Sequence, residues 1–276
     1  MSMEINTLDK LCVHTITTNP LGFSEACAKY AGYGIKGISI WRDAVEGIAP
    51  RDVRHHLEKN GLTAVSYVRG GFFPSVDPTR RKAAIEDNLA MLQEAAEMEI
   101  PLLVLVCGAD PGQPLSTSRN QIQAGIEAIL PEATRLGVRL AIEPLHPMYA
   151  DTRSAIISME QANDMAEYFN DGFLGVAVDV YHLWFDQALE KQIRRCGNNN
   201  NLYAFHICDW NVPTTDMLND RGLMGEGCIP VRQIRGWMEQ SGFSGFNEVE
   251  IFSNTFWAMD QDIFLEKIVD AYLQHS

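Results

Sequence analysis

The sequence predicts a (β/α)8 barrel, an α/β fold in which eight parallel strands close on themselves and each is followed by a helix. Three observations predict it. Short apolar runs alternate with amphipathic stretches from one end of the chain to the other. Several of those runs are continuous Val/Ile/Leu rather than strict alternations, as expected of parallel strands covered on both faces. The length, 276 residues, suits one barrel of roughly 250 residues, so a single domain over 1–276 is expected.

Strands are expected at 11–17, 35–41, 62–68, 102–107, 138–143, 174–179, 202–207 and 247–252. Helices fall between them. Pro50 opens one, and Gly61 follows its end. Asp77-Pro78 reads as N-cap and first helical position, followed by Ile85, Leu89 and Leu92. Pro131 interrupts the stretch from Ile122 to Leu136, which predicts a kink. Ser158 and Gln161 have capping-box spacing ahead of Met165 and Phe169. Pro230 precedes Val231, Ile234, Trp237 and Met238, with Gly242 just past the end. No Gly-x-Gly-x-x-Gly follows the first strand, and the candidate polar residues come from many strand ends. Both facts favour a closed barrel over an open doubly wound sheet.

Composition narrows the function. The net charge of -14 repels phosphate backbones and anionic lipid, so neither nucleic-acid nor membrane binding is expected. No apolar run approaches the roughly 20 residues needed to span a bilayer. The N-terminus has no basic start leading into an apolar stretch, so no signal peptide is read. The six cysteines include no Cys-x-x-Cys pair, and Cys107 and Cys208 sit inside apolar runs. A reducing, cytoplasmic setting is the expectation.

Residues at the C-terminal ends of barrel strands face the active-site mouth. Four consecutive predicted strands end in, or contain, a hard or borderline metal ligand: Glu143, Asp179, His206 and Glu250. One such residue is often only a loop cap. Four after apolar runs are harder to dismiss, because unpaired carboxylates at an apolar mouth are costly without a cation. Three carboxylates and one imidazole suit a single divalent ion with positions left for substrate oxygens. Manganese is the first expectation, with magnesium, cobalt or zinc as alternatives. His14, Trp41, Arg69 and Cys107 end the other strands and, with Trp184, Trp210 and Phe252, are candidates to line a pocket. His55 and His56 lie on a predicted helix away from the mouth and read as surface. The segment 151–156 is a candidate lid.

The segments Glu143-Pro144, Asp179-Val180-Tyr181-His182, His206-Ile207-Cys208-Asp209-Trp210, Gly225-Glu226-Gly227 and Val249-Glu250-Ile251-Phe252-Ser253 carry a resemblance. They look like the xylose-isomerase-like barrels, in particular the sugar phosphate isomerase/epimerase branch. That branch includes ketose 3-epimerases, hydroxypyruvate isomerase and inosose-handling enzymes. The resemblance implies that the Glu, Asp, His, Glu set binds one ion. It implies proton transfer beside a carbonyl of a keto-sugar or cyclitol, through a metal-stabilised enediolate. Glu143 and Glu250 inherit the two proton-transfer roles by position, while Asp179 and His206 act as ligands only. His182, in the family's Asp-x-x-His, is expected to contact substrate oxygens. Arg221, His146, Trp184 and Trp210 complete the expected substrate-binding set, and Glu226 is read as a loop residue.

A lyase or dehydratase on the same site is the serious alternative, because loss of a β-leaving group competes with reprotonation. A non-enzymatic sugar-binding barrel is a remote one. The DNA-repair nucleases that share the barrel use three zinc ions, and Gly222 stands where they need a histidine. Oligomeric state is left open, although many barrels of this family pair. No Gly-rich phosphate loop with a lysine is evident, so a phosphorylated substrate would need a local basic pocket.

Overall fold

The computed structural model describes residues 4–276. Eight parallel strands close into a barrel: β1 (Leu11–His14), β2 (Gly37–Trp41), β3 (Thr63–Gly71), β4 (Leu102–Val106), β5 (Arg139–Glu143), β6 (Leu174–Asp179), β7 (Leu202–Ile207) and β10 (Asn247–Val249). Strand β10 closes the ring by pairing with both β1 and β7. A two-stranded antiparallel hairpin, β8 (Asp209–Trp210) with β9 (Arg221–Gly222), stands on the loop after β7.

The main helices are α1 (Phe23–Gly32), α2 (Pro50–Asn60), α3 (Pro78–Glu97), α4 (Leu115–Leu136), α5 (Met159–Phe169), α7 (Leu189–Asn198), α8 (Val231–Gln240) and α10 (Gln261–His275), with one-turn helices α6 (Val180–Leu183) and α9 (Asn254–Trp257) at the mouth. The expected caps form. Asp77 accepts from the Thr79 amide, and Gly61 takes the left-handed conformation that ends α2. Ser158 accepts from the Gln161 amide, while the Gln161 side chain reaches one residue further back, to the Ile157 amide. Helix α4 runs through Pro131 to Leu136. The proline removes one ladder donor within a helix that continues past it.

The first and last expected strands end three residues earlier than read. The first leaves the ladder after His14 and the last after Val249. The reason is a side chain: Thr17 Oγ1 donates to the Val249 carbonyl and accepts from the Ile251 amide, both at 3.0 Å. A hydroxyl therefore does the pairing that backbone groups would do in a longer strand. Conversely, β3 runs past its expected end to Gly71, where φ is +102° and an added Cβ would collide with the Val106 carbonyl.

Alternation along the strands makes two apolar layers. Leu103, Leu105, Leu140, Ile142, Val176, Val178, Phe205 and Ile207 join the core shared with the helices. Val68, Leu102, Val104, Ala141, Ala177 and Ala204 form a separate cluster inside the barrel. Above it the inward positions turn polar, and the candidate site begins there. Among the described residues no helix is long and apolar enough to cross a membrane.

Candidate metal centre

Glu143 ends β5, Asp179 ends β6, His206 lies in β7 and Glu250 follows β10, which are four neighbouring strands of the ring. Each brings one ligand atom to a point where all four lie within 4.8 Å of one another, and all four residues are buried. His206 turns Nδ1 to the carboxylates, 2.9 Å from Glu143 Oε1 and 4.0 Å from Glu250 Oε2. Asp179 also caps α6, its Oδ1 accepting from the Tyr181 amide at 2.7 Å. That bond fixes the carboxylate and leaves Oδ2 for the cluster.

Arg221 enters from β9. Its Nη1 donates to Asp179 Oδ2 at 3.1 Å, Glu250 Oε2 at 3.0 Å and the Glu250 carbonyl at 3.1 Å. Its guanidinium lies over the Tyr181 and Phe252 rings, with Cζ 4.3 and 5.0 Å from their centroids. Nη2 stands 3.3 Å from His182 Nε2. The sequence placed Arg221 on a loop with reach to the substrate. The structure buries it as a partner of two candidate ligands, and it still lines the cavity.

The electrostatics show a cluster short of positive charge. Burial drives the Asp179 carboxyl up to about 7; Arg221 pulls it down, and Glu250 and Glu143 push it further up. Burial alone would lower His206, yet the hydrogen bond to Glu143 and the charges of Glu248, Glu143 and Glu250 lift it to about 10. Burial also works against ionised Glu250, but His14 and Arg221 hold its carboxyl well below the usual range. A proton held on a buried imidazole beside three carboxylates is the response of a site built for more positive charge than its side chains supply. A divalent ion fits that donor set: hard oxygen ligands, one imidazole nitrogen and a charge deficit.

One feature of the site was not read from the sequence. Glu248 lies two residues before Glu250 on the same inward face, and its Oε2 accepts from Ser39 Oγ at 2.6 Å and Ser66 Oγ at 3.0 Å. It also stands 3.3 Å from His14 Nε2 and 3.8 Å from His206 Nε2. His14 Nδ1, in turn, stands 3.2 Å from the Trp41 indole nitrogen and 3.1 Å from Glu250 Oε1. The alternation Glu248-Val249-Glu250 was the available signal.

A cavity of about 30 Å³ lies over the carboxylates. Trp41, Arg69, Arg153, His182, Leu218 and Phe252 wall it, together with Glu143 and Glu250. His182 is one of the cavity's lining residues. His146, Trp184 and Trp210 do not line this cavity. They stack one layer behind: Trp210 lies on Tyr181 at 4.7 Å, His146 packs between Phe185 and Trp210, and Trp184 is 5.9 Å from Trp210. Glu226 accepts from the Leu223 amide as a loop residue. The segment expected as a lid is tethered instead, since Gly108 exchanges backbone hydrogen bonds with Arg153 and Ala155. The cavity is capped from another loop by Leu218, and the neighbouring Met217 carbonyl accepts from the Tyr149 and Tyr181 hydroxyls at 2.5 and 3.0 Å.

Fold and site together define a parallel barrel with a ligand-rich C-terminal mouth. The family pattern of the xylose isomerase-like TIM barrels matches residues 27–268, and the chain belongs to that family. It is 20% identical over 282 residues to an inosose isomerase of Halalkalibacterium halodurans, covering 96% of this chain and 95% of that one. A crystal structure from Sinorhizobium meliloti 1021 superposes with a TM-score of 0.93 at 41% identity, covering 96% of this chain and 98% of that one. The IolI protein with a bound zinc atom superposes at 0.80 and 16% identity, over 97% and 99% of the two chains. D-psicose 3-epimerase, crystallised with D-fructose, superposes at 0.78 and 17% identity, over 95% and 96%.

Proposed function

We propose that this barrel is a metal-dependent isomerase or epimerase of a keto-sugar or cyclitol, in which Glu143, Asp179, His206 and Glu250 hold one divalent ion. The observation that carries the reading is the convergence of those four buried ligand atoms within 4.8 Å at one end of the barrel. Relatives named as an inosose isomerase and a D-psicose 3-epimerase, and a zinc-bound structural neighbour, support it.

The bound ion supplies Lewis acidity, polarising a carbonyl and spreading the negative charge that develops beside it. The chain's residues do the rest. Glu143 and Glu250 reach the cavity from strands separated by β6 and β7, so they flank whatever lies between them. One carboxylate takes the proton from the carbon next to the carbonyl, and the other returns one to the opposite face or the neighbouring carbon. Arg221 keeps the Glu250 carboxylate oriented and ionised through its two contacts with that residue. Burial and the Arg221 charge hold His182 well below its ordinary pKa, so it meets substrate hydroxyls as a neutral imidazole. Trp41, Leu218 and Phe252 limit water at the reacting carbons.

The test is proton exchange. Manganese-loaded protein is incubated in D2O with a panel of ketoses and inososes, and deuterium beside the carbonyl is read by NMR. Exchange with at least one of them is expected, falling by about 10²-fold or more in Glu143→Gln and Glu250→Gln. No exchange with any panel member, or full exchange in both variants, overturns the reading. Loss of a β-substituent from the labelled product would instead assign the site to elimination.

A further inference from the structure

Arg69 lies two residues before the end of β3, and Arg153 lies in the loop after β5; both wall the same small cavity as Glu143 and Glu250. Their guanidinium groups have no ion-pair or hydrogen-bond partner among the described residues. Other arginines do: Arg42 binds Asp87 and Glu94, Arg195 binds Asp164 and Glu167, and Arg221 binds Asp179 and Glu250. In a chain with 36 acidic residues against 22 basic ones, leaving two partly buried arginines unmatched in one cavity is costly. Burial and the nearby Arg153 charge depress the Arg69 pKa, outweighing the opposing charges of Glu250, Glu143 and Asp43, so the two cations lie within electrostatic reach of each other.

Aromatic rings hold both groups. Arg69 Cζ is 5.3 Å from the Trp41 ring centroid and 5.0 Å from that of Phe72, and Arg153 Cζ is 5.4 Å from that of Tyr149. Such packing satisfies guanidinium faces and leaves N–H edges for a ligand. Those edges suit a planar or tetrahedral oxyanion, which accepts paired hydrogen bonds from arginine.

We propose that Arg69 and Arg153 form an anion subsite, so that the substrate is a sugar or cyclitol carrying a carboxylate or phosphate group. The inference rests on the sugar reading given above and adds the charge of the molecule. The anionic group docks on the side of β3 and the loop after β5, while the carbonyl end faces Glu143 and Glu250. The subsite also supplies the local basic pocket that an acidic substrate needs in a chain of net charge -14.

The experiment compares D-fructose, D-fructuronate and D-fructose 6-phosphate, which share a ketose core and differ in charge at C6. Each is titrated calorimetrically into manganese-loaded wild type, Arg69→Met and Arg153→Met, with bound manganese measured in every sample. At least one anion is expected to bind about tenfold or more tightly than fructose, and each variant is expected to bring that ratio toward one. The anion with the larger ratio tells carboxylate from phosphate. If Arg69→Met fails to fold, Arg153→Met, a loop change, carries the test. Equal affinity for charged and neutral ketoses, no binding of either anion, or a preference that survives in both variants overturns the inference. Normal manganese content with any of those results removes only the anion subsite, whereas absence of manganese in wild type removes the reading of the metal centre.

Discussion

Arg221 Nη1 lies 3.1 Å from Asp179 Oδ2 and 3.0 Å from Glu250 Oε2, bridging two candidate metal ligands with one buried guanidinium. The bridge supplies part of the positive charge facing the carboxylates, and the proposed ion would supply the rest. Arg221→Met keeps much of the volume and removes the charge. Breaking a buried ion pair by deleting one partner typically costs about 3–5 kcal/mol. Metal-free Arg221→Met is therefore expected to lose about that much stability in urea unfolding, and the manganese-loaded variant to lose less. Equal losses with and without metal would show that the arginine and the ion do not share the work.

Metal binding should release protons. His206, lifted to about 10, holds a proton at pH 7 in the metal-free protein, and Asp179, raised to about 7, holds part of another. A bound ion needs both deprotonated. Calorimetry in buffers of different ionisation enthalpy is expected to show about one to one and a half protons released per ion at pH 7. The same linkage fixes the sign of the pH dependence. Affinity rises with pH across the neutral range, because fewer protons need to be displaced. The raised His206 pKa contributes folding stability to the metal-free protein below its unfolded value of about 6.5, and that contribution disappears as pH rises through about 10. Metal affinity that falls between pH 6 and 8 would contradict this assignment of protons.

Glu248 should act on the metal through His206. With Nδ1 toward the carboxylates, His206 Nε2 makes no hydrogen bond, and Glu248 Oε2, 3.8 Å away, acts on the imidazole through its charge. A carboxylate behind a ligating imidazole fixes its tautomer and raises its basicity, and loss of such a partner commonly costs 10–100-fold in metal affinity. Glu248→Gln is expected to weaken manganese binding by about that range, measured by competition with a chelator. Glu248→Ala should cost more stability as well, because it also strips the acceptor from Ser39 and Ser66. Unchanged affinity in both variants would make Glu248 a packing residue of the barrel interior.

The barrel was legible because strand periodicity and length are local signals, and the ring of strands closes as the apolar runs required. The four residues of the candidate centre could be picked out for a related reason: each ends or follows an apolar run, and barrel geometry turns strand ends into one surface. Less legible was what one strand presents to another. Thr17 replaces backbone pairing between β1 and β10 with its hydroxyl, a contact across more than 230 positions of sequence that no window on either strand contains. Trp184, Trp210 and His146 are aromatic residues near the mouth, but sequence cannot distinguish a wall of the cavity from the layer that supports it. Arg69 was read as a pocket candidate from its strand end, but Arg153 was not, since an arginine without a partner is visible only when its surroundings are known.

Closure of the cavity turns on two phenols and one carbonyl. Tyr149 and Tyr181 both donate to the Met217 carbonyl, next to Leu218, which caps the space over Glu143 and Glu250. Tyr149 comes from the turn after β5 and Tyr181 from α6, so the segment carrying Leu218 is tied to both sides of the mouth. Its other tethers include bonds within the loop, where Asp220 accepts from the Thr215 amide and Asp216 from the Leu218 and Asn219 amides, and one from outside, where the Asn219 carbonyl accepts from the Asn254 amide at 3.1 Å. Each hydroxyl bond contributes roughly 0.5–1.5 kcal/mol net, so Tyr149→Phe/Tyr181→Phe should cost about 1–3 kcal/mol in the local closing equilibrium. Hydrogen exchange over 212–219 is expected to quicken by about 5–150-fold, while exchange in the barrel strands stays unchanged. If the reaction proceeds by proton transfer in the closed cavity, the double variant also lets solvent in, raising deuterium wash-in relative to product formation. Unaltered exchange in the loop would mean that Leu218 is held by packing alone and that the two hydroxyls serve only to satisfy one carbonyl.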